Sequence, residues 1–300
     1  PPSRDQPGTS GMTPVYAELE SLEVLDWRQF LIAVRRLADS FNYGTDRSPF
    51  LGSGVEYVQS RPYEYGDSVR SIDWRVTART GRFFVKQFET PKQLPIYLLL
   101  DTSASMVVSS QTRSKLATAL QIAGGLAFAG LDRVSPVGLL TTGDEFRQYQ
   151  PSLAKSQVLQ WLHELRRFRL GQQTELAKRL TDLNARLANR AMLIVLSDLH
   201  EPAALAALKL SAQRHDVVVL QLRDPAERQL PASGLIRARE PETGREFVLN
   251  RRSKLIDQAA LEQQLKRAGI DHLLIDIDQK YAHRLRWFFR SRGGLGGKGR

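Results

Sequence analysis

The sequence predicts an α/β fold: a doubly wound, mainly parallel sheet preceded by a helix and a small β-unit. Two observations predict it. Short continuous apolar runs recur at residues 95–100, 134–140, 191–196, 216–222 and 272–275. Stretches of helical character lie between them, at 112–131, 152–165, 174–187, 202–214 and 252–268. A strand buried on both faces reads as a run rather than as an alternation, and parallel strands need a long crossover, usually a helix. Regular alternation of the two therefore means βαβ units, here spanning roughly 94–290.

Taken in order, residues 1–20 are rich in Pro, Ser, Gly and Thr and read as a flexible leader. Leu22, Leu25, Phe30, Ile32, Val34 and Leu37, interspersed with charges, predict an amphipathic helix ending near Ser40. Residues 55–59 and 82–88 read as strands of a small β-unit, separated by the turn-rich Arg61-Pro62-Tyr63-Glu64-Tyr65-Gly66-Asp67. The unit with its helix occupies 21–93. Within the main domain, Ala117, Ala119, Ala123, Gly124, Gly125 and Ala127 permit close helix-to-sheet packing, and 146–149 reads as a short edge strand. Residues 235–237 and 246–248 flank Pro241-Glu242-Thr243-Gly244 as in a β-hairpin. Residues 281–290 place Tyr281, Leu285, Phe288 and Phe289 near one helical face, as in a closing helix packed on the sheet. Residues 291–300 form a flexible basic tail. No internal repeat is visible.

The chain has 300 residues, no cysteine and a net charge of +11. It is long enough for a substantial core, and disulfides, thiolate zinc sites and cysteine nucleophiles are excluded together. Any metal must take oxygen or histidine ligands. The apolar runs fall far short of the ~20 residues that cross a bilayer as a helix. Residues 279–300 hold Lys280, Arg284, Arg286, Arg290, Arg292, Lys298 and Arg300 and no acid. Such a segment attracts nucleic acid or acidic lipid, so nucleic-acid binding and peripheral membrane contact stand as alternatives to a simple solvated end.

Ligands of open parallel sheets bind at the carboxyl ends of strands, where strand order reverses. The run Leu98-Leu99-Leu100 leads directly into Asp101-Thr102-Ser103-Ala104-Ser105. Asp101, Ser103 and Ser105 carry hard oxygen donors at alternate positions, which suits Mg²⁺. Taken singly, Ser105 suits a helix cap and Asp101 a strand-end acceptor. The motif resembles the metal-ion-dependent adhesion site of von Willebrand factor A domains, a doubly wound fold of Rossmann type. That resemblance implies two further ligands: Thr174, in Gly171-Gln172-Gln173-Thr174, and Asp198, after Leu193-Ile194-Val195-Leu196-Ser197. Two glutamines stand where the usual loop has its second glycine. A haloacid-dehalogenase-type phosphatase would want a second Asp where Ser103 stands, and His200 forms no Ser-His-Asp order.

Residues 52–88 contain Gly52-Ser53-Gly54-Val55-Glu56, the Arg61–Asp67 turn, Arg70-Ser71-Ile72-Asp73-Trp74, Ala78-Arg79-Thr80-Gly81 and Val85-Lys86-Gln87-Phe88. With the Asp101 motif these resemble the bacterial domain-of-unknown-function family 58. Its members are often encoded beside MoxR-type AAA+ ATPases, so the resemblance implies a non-enzymatic accessory or adaptor role with such an ATPase or its client. Many relatives carry transmembrane helices before this signature; none is visible here, which implies a cytoplasmic form. Arg61, Arg70, Arg79, Asp67 and Asp73 are expected to form an ion-pair network with Tyr63 and Trp74 as apolar anchors. The expectation is thus a protein-interaction module whose divalent ion, Mg²⁺ with Mn²⁺ or Ca²⁺ as substitutes, is completed by a partner's acidic residue. A metal-assisted phosphohydrolase is the enzymatic alternative.

Overall fold

The computed structural model describes residues 16–18, 27–42, 56–89, 94–143, 145–169, 173–228, 236–239, 246–249 and 257–294. The chain opens with β1 (Tyr16–Glu18), α1 (Trp27–Asn42), β2 (Glu56–Pro62), α2 (Trp74–Thr80) and β3 (Phe84–Glu89). Next come β4 (Ile96–Leu100), α3 (Ala104–Val107), α4 (Lys115–Asp132), β5 (Val137–Thr141), β6 (Gln148–Ser152), α5 (Lys155–Glu164) and β7 (Arg167–Arg169). The remainder is α6 (Leu176–Arg186), β8 (Met192–Ser197), α7 (Ala204–Ser211), β9 (Asp216–Arg223), β10 (Ile236–Arg239), β11 (Glu246–Leu249), α8 (Gln258–Arg267), β12 (Asp271–Asp276) and α9 (Ala282–Gly294).

Six strands form one sheet in the order β12-β9-β8-β4-β5-β6, and all neighbours run parallel except β5 and β6. The expected mainly parallel sheet is therefore present, with one antiparallel edge. Every residue of β4, β5 and β8 is buried, as two-sided coverage requires. The pleat divides them. Ile96, Leu98 and Leu100 share a core with α1, α4, α5 and α9, whereas Tyr97 and Leu99 share one with α6, α7 and α8. From β4 the chain fills β5 and β6 on one side, then crosses to β8, β9 and β12 on the other. Strand order thus reverses between β4 and β8.

The small residues of α4 have a specific use. A Cβ built on Gly124 would meet the Val34 side chain at 2.9 Å, and one on Gly125 would meet Leu37 at 2.8 Å. The two glycines are a notch into which α1 settles, so α1 joins the core of the sheet. Its other end meets α9 through an edge-on Phe41–Phe289 contact at 5.8 Å between ring centres. The closing helix buries Leu285 and Phe289, two of the residues read as its apolar face.

Four features differ from expectation. Within the stretch read as a leader, Tyr16–Glu18 pairs antiparallel with β7; the apolar Val15-Tyr16-Ala17 is unlike the polar residues before it. In the β-unit, where β2 and β3 pair antiparallel, a short helix α2 appears. Asp73 caps its first amides and Gly81, at φ 70°, ends it; neither leaves an apolar stripe to read. Trp74 and Tyr63 are not buried anchors: Trp74 is 63% exposed and Tyr63 36%. Among the described residues the ion network reduces to a two-pronged Arg61–Asp67 pair (2.8 and 2.6 Å), while Asp73 accepts from Ser60 Oγ at 2.7 Å and Arg79 faces solvent. The Arg70 side chain and the predicted turn at 241–244 lie outside the described residues, although β10 and β11 pair as the hairpin reading requires.

Candidate metal centre

The carboxyl ends of β4 and β8 lie side by side, because the Asp101 amide donates to Leu196 O at 2.9 Å. That bond carries Asp101 and Asp198 to the point where strand order reverses. Asp101 is 1% exposed; one carboxylate oxygen accepts the Ser103 amide at 3.0 Å and the other the Ser197 hydroxyl at 2.6 Å. Among the described residues no lysine or arginine pairs with it. Burial, together with the neighbouring Asp198, pushes its carboxyl up to about 6. This is an acid whose charge calls for a cation.

Ser103 and Ser105 stand next to it with their hydroxyl oxygens 3.0 Å apart. Ser103 sits at the cap position of α3 but makes no side-chain cap bond, so its hydroxyl is not used to hold the helix. A hard ion bonded octahedrally at about 2.0–2.1 Å keeps adjacent ligand oxygens about 3 Å apart. The serine pair meets that spacing, and Ser105 is only partly buried, which opens the site toward solvent. Thr174 arrives from the other side of the sheet. It bridges Gly143 at the end of β5, Glu175 N donates to Thr142 O at 2.6 Å, and Gly143 N donates to Thr102 Oγ1 at 3.2 Å. Thr174 is thereby docked against the strand-end loop that holds Ser103, just ahead of α6.

Asp198 belongs to a second cluster that the sequence did not reveal. Its Oδ2 lies 2.8 Å from Lys115 Nζ and 3.3 Å from His200 Nδ1. Lys115 Nζ reaches Glu227 Oε1 at 2.5 Å, and His200 Nε2 lies 3.9 Å from the other Glu227 oxygen. Leu199, at φ 60°, turns the chain so that Asp198 and His200 converge, and its amide is held by Ser197 Oγ at 3.0 Å. A non-glycine residue in that conformation costs on the order of 1 kcal/mol. Burial alone would raise Asp198, but the His200 bond and the Lys115 ammonium outweigh it and hold the carboxyl below its usual range. Burial likewise works against charge on Lys115 and His200; their carboxylate partners outweigh it and keep both values raised.

Asp198, His200 and Glu227 bring ligand atoms within 4.8 Å of one another, a grouping able to hold a metal. The lysine ammonium already bonds both acids there. His200 lies between two carboxylates, with Nδ1 3.3 Å from Asp198 and Nε2 3.9 Å from Glu227. All five predicted residues thus lie on neighbouring strand ends or on loops docked to them: Asp101, Ser103 and Ser105 form a set poor in cations, Thr174 is docked beside it against Gly143, and Asp198 is paired with Lys115. The missed Lys115 had one signal. It heads a helix that carries no other charge until Asp132, at the end where the helix dipole disfavours a cation.

No helix among the described residues is long and apolar enough to cross a membrane. Uncharacterized proteins of Mycobacterium bovis and Mycobacterium tuberculosis are each 27% identical to this chain over 252 residues, 82% of it and 77% of theirs. Among solved structures, BatB from Bacteroides thetaiotaomicron is similar at 17% identity and a TM-score of 0.44, over 67% of this chain and 99% of that one. An uncharacterized membrane spanning protein from Vibrio fischeri is similar at 15% identity and a TM-score of 0.22, over 67% and 98%. The family described as protein of unknown function DUF58 matches residues 59–272, from the β2–β3 unit through the strand ends that bear Asp101 and Asp198 to β12, and the chain belongs to it.

Proposed function

We propose that this chain is a metal-dependent protein-interaction module of von Willebrand A-like architecture. Asp101, Ser103, Ser105, Thr174 and Asp198 would hold a divalent cation, Mg²⁺ first and Mn²⁺ or Ca²⁺ as substitutes, and an acidic side chain of a partner would complete its shell. The bound ion supplies Lewis-acid attraction for that carboxylate. The chain's own residues do the rest: two serine hydroxyls bind without adding charge, Ser197 and the Ser103 amide orient Asp101, and Thr174 closes the far side of the loop. The observation that carries this reading is the 3.0 Å serine pair beside a buried carboxylate that lacks a basic partner among the described residues.

The partner follows from the family resemblance: a MoxR-type AAA+ ATPase or its client, in a cytoplasmic setting. Immobilised chain is expected to retain the purified ATPase in Mg²⁺ buffer. Retention should fall away in EDTA and in the double variant Asp101→Ala with Ser103→Ala. Equal retention under all three conditions would contradict the reading.

A further inference from the structure

We propose that Lys115 is the chain's own counter-cation to Asp198, withholding that carboxylate's charge from the divalent ion so that the ion keeps a positive charge with which to grip an anionic partner. This rests on the metal-dependent reading above and goes one step further, to the residue that sets how the site divides its affinity between ion and partner.

Lys115 is 2% exposed, and its ammonium bonds Asp198 Oδ2 at 2.8 Å and Glu227 Oε1 at 2.5 Å. It is retained against two costs: desolvation of an ammonium, and a place at the start of α4, where the helix dipole repels a cation. Stability alone does not call for such a group, since an apolar replacement of a buried ion pair is often neutral or better. Its location supplies a reason. His200 lies between the two acids, 3.3 Å from Asp198 and 3.9 Å from Glu227, whereas the lysine ammonium bonds Asp198 directly at 2.8 Å and is the charge set against that carboxylate. Asp101, Asp198 and Lys115 together carry one net negative charge. A divalent ion added to them leaves one positive charge over, which a partner's carboxylate neutralises. Without Lys115 the two aspartates would neutralise the ion by themselves; it would be held more tightly and would attract a carboxylate less.

The test uses the full chain as wild type, Lys115→Met, and Lys115→Met with Glu227→Gln, the last because the single change strands a half-buried acid. Mn²⁺ uptake is followed by electron paramagnetic resonance, and acetate binding to the Mn²⁺-loaded protein by water-proton relaxation. Lys115→Met is expected to bind Mn²⁺ at least about tenfold more tightly than the wild type, as removing a neighbouring unit charge requires; the double variant, whose net charge is unchanged but whose Asp198 has lost its directly bonded ammonium, is expected to gain by a smaller factor, and both are expected to bind acetate more weakly. Mn²⁺ should also raise their melting temperature more than it raises that of the wild type, a readout that survives a loss of basal stability. Adding Asp101→Ala should abolish the gain. Wild-type Mn²⁺ uptake with no gain in either variant overturns the inference alone. So does a gain that persists with Asp101→Ala and vanishes with His200→Ala, since the ion would then occupy the lysine's place. No uptake by the wild type defeats the metal-dependent reading and this inference with it.

Discussion

Four aspartates stand at or just beyond the carboxyl ends of parallel strands: Asp101, Asp198, Asp224 and Asp276. All are buried, and they are satisfied in different ways. Asp276 takes arginines, Arg223 at 2.8 Å and Arg228 at 3.1 Å. Asp224 takes hydroxyls and amides, from Ser109 Oγ, both the amide and the hydroxyl of Ser110, and Ala226 N, and so pins the loop after α3 to the end of β9. Burial opposes its charge, but the bonds from Ser109 and Ser110 outweigh burial and lower its carboxyl below the ordinary range. Replacing it with alanine orphans those donors and should cost about 2–4 kcal/mol by urea unfolding at neutral pH. Because the folded value is depressed, this stabilisation is complete above the unfolded carboxylate range, about pH 4, and is lost as pH falls through the folded value. The gap between wild type and Asp224→Ala should therefore narrow in acid. A gap of constant size across that window would contradict the assignment.

The helices and strands show what the local pattern can and cannot announce. Phe30, Val34 and Leu37 announce α1, and the glycines of α4 announce a close approach, because both depend on composition along a single element. Which element fills the glycine notch depends on the tertiary fold. It is α1, and the fit is tight enough to decide a sign. Gly125→Ala gains about 1 kcal/mol of helix propensity but drives a methyl to 2.8 Å from Leu37 Cγ and Cδ2, which costs about 1–3 kcal/mol. The variant should be no more stable than the wild type and up to about 2 kcal/mol less stable in thermal or denaturant unfolding; a stabilised protein would mean that α1 does not pack there. By contrast α2 is invisible in the sequence. Seven residues leave no room for a stripe, and its two determinants, the Asp73 cap and Gly81, look in sequence like ordinary turn residues. The exposure of Trp74 defies expectation for a related reason: residue type predicts burial only on average, and a lone tryptophan carries no periodicity.

At the scale of the molecule, the alternation of apolar runs with helices is sufficient to anticipate a mainly parallel sheet with helices on both faces. The candidate centre is only partly legible. Asp101, Ser103 and Ser105 share one short motif, so their proximity is written into it, and Thr174 and Asp198 follow from a family pattern. Lys115 and Glu227 meet across 112 residues. No local signal reports such a contact, although it decides how the charge at the strand ends is balanced. Whether these strand ends hold a divalent ion is tested most directly by calorimetric titration of Mn²⁺ into the EDTA-stripped full chain, wild type against Asp101→Ala with Ser103→Ala. Saturable uptake of one ion per chain by the wild type, and its loss in the variant, is the expected result; no uptake by the wild type, or equal uptake by both, would contradict it.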